Sequence, residues 1–310
     1  MGAMAKIPMP GPPPESLVSF GPISLLPGKK GGRYPYCHSL ILAGEETWVV
    51  DPASDKAFLT RLARTGRVTR VFFSHFHEDH LKYAYLFPQA AFYVPSQEVA
   101  AFTSVEGVFP FTGADNPLFQ DYLRETLVRD FNFRPFTNLV PFQPGDRFAN
   151  GDIILEVMAA PGHTPGHSCF VFPAQDIIFL ADVDLTPFGP WYGDAASDLE
   201  VYRETLVELK KSRAQTYLTA HEQGVFTWEE AQAGLDYFLQ VMGERDQKLL
   251  DLLEKPRTLG NLVARHPIYG RVREPALVYD HMEGQMLKKH LDRLVQRGWV
   301  GLTMAGYVKI

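Results

Sequence analysis

From Leu17 to Val225 the chain alternates short runs of branched and aromatic residues with turn signals. Eight such runs, Ser39 to Leu42, Thr47 to Val50, Val68 to Phe73, Ala91 to Val94, Ile153 to Met158, Cys169 to Phe172, Ile177 to Leu180 and Thr216 to Thr219, predict β-strands. Several are apolar at nearly every position, which predicts strands covered on both faces. Helical periodicity intervenes. Leu199, Tyr202, Leu206 and Leu209 share one face of a helix that opens on a Ser197-x-x-Glu200 capping-box spacing and ends near Lys210 and Lys211. That alternation predicts a layered α/β domain over residues 17–226.

Two stretches break the texture. Residues 96–136 are helical in pattern and rich in phenylalanine (Phe102, Phe109, Phe111, Phe119, Phe131, Phe133 and Phe136), so they predict an insertion that either glues itself to the body or covers a pocket. Beyond Thr227 the strand texture stops. Helices are predicted over Trp228 to Leu253, Thr258 to His266 and Asp280 to Gln296, followed by a hairpin through Gly298 to Leu302 and Tyr307 to Ile310. This smaller, mainly helical unit, residues 227–310, resembles a winged helix. The first sixteen residues hold five prolines and no apolar periodicity, which predicts a flexible tail over 1–16.

Composition sets limits on partners. The formal charge is −6 and charged residues make up 21% of 310, giving no overall footprint for nucleic acid or an anionic membrane. Lys288, Lys289, Arg293, Arg297 and Lys309 make the end of the chain locally basic, so nucleic-acid binding through the third helix is a secondary expectation. No run approaches the roughly eighteen apolar residues of a transmembrane helix, and no secretory signal is recognisable, so the expected location is cytoplasmic. Cys37 and Cys169 are too few for a disulfide framework or a thiolate metal site.

The histidines carry the chemistry. After Val71-Phe72-Phe73 comes Ser74-His75-Phe76-His77-Glu78-Asp79-His80, three imidazoles and a carboxylate delivered by one strand end. They are donors of the kind that zinc, iron and manganese accept. Three later strand ends add candidates: Pro161-Gly162-His163-Thr164-Pro165-Gly166-His167-Ser168, then Leu180-Ala181-Asp182, then Thr219-Ala220-His221-Glu222. A carboxylate ending a buried strand, as Asp182 does, is costly unless a cation compensates it.

These runs resemble the metallo-β-lactamase superfamily, with HFHEDH as its His-x-His-x-Asp-His motif and GHTPGHS, LAD and AHE as its later motifs in the glyoxalase II-like and lactonase-like form. The resemblance covers about Leu17 to Val225 and implies an αββα sandwich with the site at one edge of the two sheets. It implies two divalent metal ions, zinc foremost with iron or manganese as alternatives. His75, His77 and His163 would hold one, Asp79, His80 and His221 the other, and Asp182 would bridge them. Ala181 and Ala220 stand where glycine is common in that family.

Two such cations about 3.5–4 Å apart share a hydroxide and polarise a substrate carbonyl. The reading is therefore a dinuclear metal-dependent hydrolase in which metal-bound hydroxide attacks a small ester, thioester or lactone. Asp79 is expected to orient the attacking oxygen, and Tyr192, after Phe188-Gly189-Pro190-Trp191, to donate to the developing oxyanion. Around the ligands, His167 is read as fixing its turn, Asp51 as supporting a ligand, Asp184 as a competitor for the bridge and Glu78 as solvent-facing. His38, His266, His281 and His290 have no ligand-like context. The alternatives are a single-strand RNA or phosphodiester hydrolase and a di-iron oxidoreductase. The expected partner is a small molecule, and the sequence leaves open a homodimer.

Overall fold

The computed structural model describes residues 17–310. The Pro-rich stretch 1–16 lies outside the described residues. One sheet runs in order β1 (Val18–Phe20), β2 (Ile23–Leu26), β3 (Ser39–Ala43), β4 (Thr47–Val50), β5 (Val68–Phe72), β6 (Ala91–Pro95) and β7 (Leu139–Phe142). The first four strands form an antiparallel meander; β5, β6 and β7 join in parallel. The second sheet comprises β8 (Arg147–Asn150), β9 (Ile153–Ala159), β10 (Ser168–Phe172), β11 (Ile177–Phe179), β12 (Thr216–Leu218) and β13 (Val225–Thr227), in spatial order β13-β12-β11-β10-β9-β8.

Parallel neighbours need a crossover. Helix α1 (Lys56–Arg64) supplies it between β4 and β5, and the Phe-rich insertion supplies it between β6 and β7. The insertion holds α3 (Val99–Thr103), α4 (Phe109–Thr112) and α5 (Pro117–Arg129), after the single turn α2 (Glu78–Leu81) that follows β5. Helix α6 (Leu199–Leu209) crosses from β11 to β12. The expected Ser197 cap is one residue off. Asp198 accepts from the amides of Glu200 and Val201, while the Ser197 hydroxyl donates to the His163 carbonyl.

Side-chain alternation explains the layers. Leu40, Leu42, Trp48, Val50 and Phe72 point inward to meet Leu155, Phe170, Phe172, Ile177 and Phe179 of the other sheet. Their neighbours Ile41, Val49 and Val71 face out against α1 and the insertion, while Cys169, Ile178 and Tyr217 face out against α6 and α7 (Trp228–Leu252). The runs read as apolar throughout are thus covered on both faces, in an αββα sandwich.

Helix α7 starts directly after β13, with Thr227 and Glu230 forming a capping box. Its first half joins the outer core of the second sheet; its end joins a separate cluster with α8 (Leu259–Val263), α9 (Ala276–Gln296) and β14 (Val300–Thr303), which pairs with β15 (Gly306–Lys309). The helices and hairpin come in the expected order. Two of the basic side chains of α9 are engaged within the protein, while Lys288 and Arg297 are exposed. Arg293 is 5% exposed and pairs with Glu200, and Lys289 donates to the Asp194 carbonyl. None of the described helices is long and apolar enough to cross a membrane.

Candidate metal centre

Four strand ends meet at one edge of the sandwich. The segment leaving β5 brings His75 and His77, and the turn α2 that follows presents Asp79 and His80. The turn between β9 and β10 brings His163, the end of β11 brings Asp182, and the end of β12 brings His221. These seven residues fall into two groups, His75, His77, His163 and Asp182, and Asp79, His80 and His221; within each, one donor atom per residue lies within 4.8 Å of the others.

Asp182 faces both groups. Its Oδ2 lies 3.8 Å from His75 Nε2 and 3.4 Å from His163 Nε2, while its Oδ1 lies 2.9 Å from His80 Nε2 and 3.3 Å from His221 Nε2. Asp79 Oδ2 is 3.8 Å from His221 Nε2. Against burial, which would raise it, the His80, His221 and His75 imidazoles hold the Asp182 carboxyl well below the usual carboxylate range.

The far nitrogens of the imidazoles show what the near ones are for. His75 Nδ1 is 3.0 Å from Ser74 Oγ, His77 Nε2 is 2.7 Å from Asp194 Oδ2, and His163 Nδ1 is 2.9 Å from the Trp191 carbonyl. His80 Nδ1 is 2.9 Å from Asp51 Oδ2, and His221 Nδ1 donates to the Gly32 carbonyl. In a neutral imidazole an oxygen on the far side favours the N–H there and a lone pair on the nitrogen facing the cluster, the tautomer a metal requires. Against burial, Asp194 raises His77 to about 9, and Asp182 raises His221 to about 10 and His80 well above the usual histidine range, so these three would release a proton to bind an ion. Consistently, His75 Nε2, His80 Nε2 and Asp182 Oδ1 are buried with no aligned hydrogen-bond partner. Burial pushes the His75 and His163 imidazoles well below the usual histidine range, so both stay neutral donors. Five imidazoles, two carboxylates and three orphaned buried atoms fit a pair of divalent cations.

Several neighbours serve the ligands. Asp51 accepts from the Ser74 amide and hydroxyl as well as from His80. His167 donates to the Ala160 carbonyl through Nδ1 and accepts the Asp182 amide at Nε2, tying one ligand turn to the next strand end. Asp184 stays out of the cluster and accepts from the Thr186 amide. Glu78 is half-buried and accepts from the Tyr34 hydroxyl instead of facing solvent freely. His38 accepts from the Gly28 amide and contacts the Glu222 carbonyl; His266, His281 and His290 sit near Asp280, Thr112 and Asp246.

The structure does not bring Tyr192 to the cluster. Its fully buried hydroxyl is 2.7 Å from His290 Nε2 and 2.8 Å from Arg245 Nη1, so it points into the C-terminal helices and cannot reach an oxyanion beside the ligands. Trp191 does reach, its ring 5.4 Å from His77 and 5.5 Å from His163. On another side the Phe111 ring of the insertion lies 5.0 Å from Phe76 in a tilted pair, and the Phe76 ring lies 4.8 Å from His77.

Two functional residues escape sequence reasoning. Asp194 lies 117 residues from its partner His77, and no local pattern marks it. Glu98, fully buried at the start of the insertion, accepts from the Gly166 amide and the Thr164 hydroxyl and so anchors the His163 turn. Removing that acceptor with Glu98→Ala is expected to lower stability by about 1–3 kcal/mol. Burial pushes the Glu98 carboxyl up to about 7 from its ordinary 4.5. A folded-state value above the unfolded one means a contribution complete below about 4.5 and lost as the pH rises to about 7. Glu98→Gln keeps an acceptor and does not titrate, so urea midpoints of chelated protein across that window should fall more steeply for wild type than for this variant.

The chain belongs to the metallo-beta-lactamase superfamily, whose family model matches residues 36–221. Among curated proteins it is 27% identical over 208 residues to a hydroxyacylglutathione hydrolase from Hahella chejuensis (strain KCTC 2396), covering 65% of this chain and 64% of that protein. A second hydroxyacylglutathione hydrolase, from Nostoc sp. (strain PCC 7120), is 28% identical over 132 residues, 41% of this chain and 38% of its own. Each match thus spans less than two thirds of the curated relative. Among solved structures, a metallo-beta-lactamase family protein from Thermus thermophilus matches with a TM-score of 0.73 at 22% identity, over 93% of this chain and 99% of that one. A beta-lactamase domain protein from Burkholderia ambifaria matches with a TM-score of 0.69 at 16% identity, over 95% and 93%. Both structures share the fold beyond residues 36–221, into the C-terminal helices.

Proposed function

We propose that the protein is a dinuclear metal-dependent hydrolase of small esters, thioesters or lactones. The observation that carries this reading is the placement of the two Asp182 oxygens, one toward each donor group. In it His75, His77 and His163 hold one ion, Asp79, His80 and His221 the other, and Asp182 bridges. The nitrogen- and oxygen-rich donor set favours zinc. Bound there, a pair of divalent cations supplies Lewis acidity and a water made acidic enough to attack near neutral pH.

The chain's own residues do the rest. Asp79, beside His221, would orient the attacking water. The neutral His75 and His163 bind without first losing a proton. Trp191, Phe76 and Phe111 form apolar walls beside His77 that suit an acyl group and keep bulk water out. A thiolate nucleophile is disfavoured: burial pushes the Cys37 thiol up to about 12 and the Cys169 thiol higher still. The hydroxyacylglutathione hydrolases supply the model for the substrate class, an acyl group released by water. We also take the helices and hairpin after residue 226 as a distinct C-terminal unit.

The test is a panel of acyl thioesters, lactones, aryl esters and phosphodiesters assayed before chelation, after it, and after return of zinc, manganese or iron. Acyl hydrolysis should vanish with the metal and return with it. Acyl turnover indifferent to chelation, or cleavage of phosphodiesters alone, would overturn the reading.

A further inference from the structure

The loop following Asp182 has two faces. Its inner face serves the metal ligands: the Trp191 carbonyl accepts from His163 and the Asp194 carboxylate meets His77. Its outer face is held by the C-terminal helices. Arg245 of α7 donates to the Phe188 and Pro190 carbonyls and to the Tyr192 hydroxyl, and Lys289 of α9 donates to the Asp194 carbonyl. The Tyr192 hydroxyl donates to His290 Nε2, and His290 Nδ1 lies 2.6 Å from Asp246. The Trp191 indole donates to the Tyr269 hydroxyl, and Glu283 of α9 accepts the Ile268 and Tyr269 amides.

This network is costly to build. Arg245 is 4% exposed, Asp246 is 6%, and Tyr192, Glu283 and His290 are fully buried. Charged and polar groups persist at such depth only when paired, and a network of them locks one arrangement. Along the path from Arg245 Nη1 through the Tyr192 hydroxyl and His290 to Asp246, each group is within hydrogen-bond distance of the next. A hydrophobic contact would fasten two units more cheaply, but it would not fix where the Trp191 and Asp194 oxygens point.

The two halves of the metal site differ in this dependence. The other far-side acceptors, Asp51 for His80, Gly32 for His221 and Ser74 for His75, come from the first sheet and its loops. None of them touches the C-terminal helices through these bonds.

Resting on the dinuclear reading above, we propose that the C-terminal helices are a positioning device for one metal ion only. By fixing the loop 188–194 they hold His77 and His163 in their ligating tautomer and orientation, and leave the Asp79, His80 and His221 group untouched. Lys289, Arg245 and Tyr192 are positioning residues in this scheme, because each acts through the loop and none meets the donors.

The experiment titrates metal-free full-length protein with zinc against a competing chelator, which resolves two binding equivalents. Asp194→Asn marks the equivalent held by His77, and His221→Ala marks the one held by His80 and His221. Outer partners of metal-bound histidines are worth about 10–100-fold in affinity. Lys289→Met should weaken the equivalent marked by Asp194→Asn by about tenfold, leave the other within twofold, and be rescued by Lys289→Arg. Tyr192→Phe, which removes one hydroxyl and no carbon, should weaken the same equivalent if Lys289→Met does not fold. Both equivalents retained within twofold, both weakened alike, or selective loss of the equivalent marked by His221→Ala would each overturn the inference. Wild-type protein that binds fewer than two equivalents overturns the dinuclear reading itself, and the inference with it, an outcome visible before any variant is made.

Discussion

On the proposed dinuclear reading, Asp182→Asn is expected to reduce kcat/KM for an acyl substrate by at least about a thousandfold and to bring bound metal from two equivalents to one or fewer. The reason is geometric. Asp182 offers one oxygen to the His75 and His163 side and the other to the His80 and His221 side. An amide of the same shape keeps one oxygen and turns an N–H₂ group toward the remaining donors, where it repels a cation. Metal polarisation of the reacting oxygen accounts for several kcal/mol of transition-state stabilisation, and each 1.36 kcal/mol is about tenfold in rate. Folding should survive, because the side chain keeps its volume and its main chain keeps the bonds to His167 and Tyr202. Metal analysis and steady-state kinetics on the same preparation decide the matter. A loss under tenfold with two ions still bound would remove Asp182 from the bridge.

Gly162→Ala is expected to be the most destabilising single methyl addition near the site, by about 3–5 kcal/mol. Gly162 holds φ at 118°, a conformation L-residues rarely adopt, and a Cβ there would overlap the Tyr202 backbone and Cβ. Strained backbone and overpacking each contribute about 1–3 kcal/mol. The turn has little freedom to yield. The Gly162 carbonyl accepts from Asp198 at the start of α6, the His163 carbonyl accepts from Ser197, and the Pro161 carbonyl accepts from Thr205. The shift that relieves the overlap would therefore displace His163 and weaken the ion beside it. Urea unfolding of chelated protein isolates the structural part, and zinc titration reads the ligand part. Wild-type stability in Gly162→Ala would mean that the turn is not held against Tyr202 as described.

What the sequence reveals and what it hides divide along the reach of the interactions. The seven donors are legible because each follows a strand and must serve a costly buried position, which leaves a local trace in residue type and spacing. Asp194 and Glu98 leave none, since what selects them is the far side of a histidine or the open turn of another segment, 117 residues away from His77 in the first case and 66 from Thr164 in the second. Tyr192 misleads for a related reason. It adjoins Trp191, which does wall the site, but consecutive residues of an extended segment point opposite ways, and the tyrosine faces Arg245. Composition cannot show, either, that Lys289 and Arg293 of the basic run in α9 are turned inward to Asp194 and Glu200. The cap on α6 slips by one residue: Asp198 accepts the Glu200 and Val201 amides, while the Ser197 hydroxyl donates to the His163 carbonyl.

The donors come from both sheets: His75, His77, Asp79 and His80 follow β5 of the first, while His163, Asp182 and His221 follow strands of the second. A cation held between them is a crosslink across the sandwich as well as a reagent. Unfolding must release it, so the free-energy gap between folded and unfolded chain grows with free metal by mass action, about 2.7 kcal/mol for each ion at a hundredfold excess over its Kd. Supply of metal would thereby govern how long the protein lasts in addition to how fast it works.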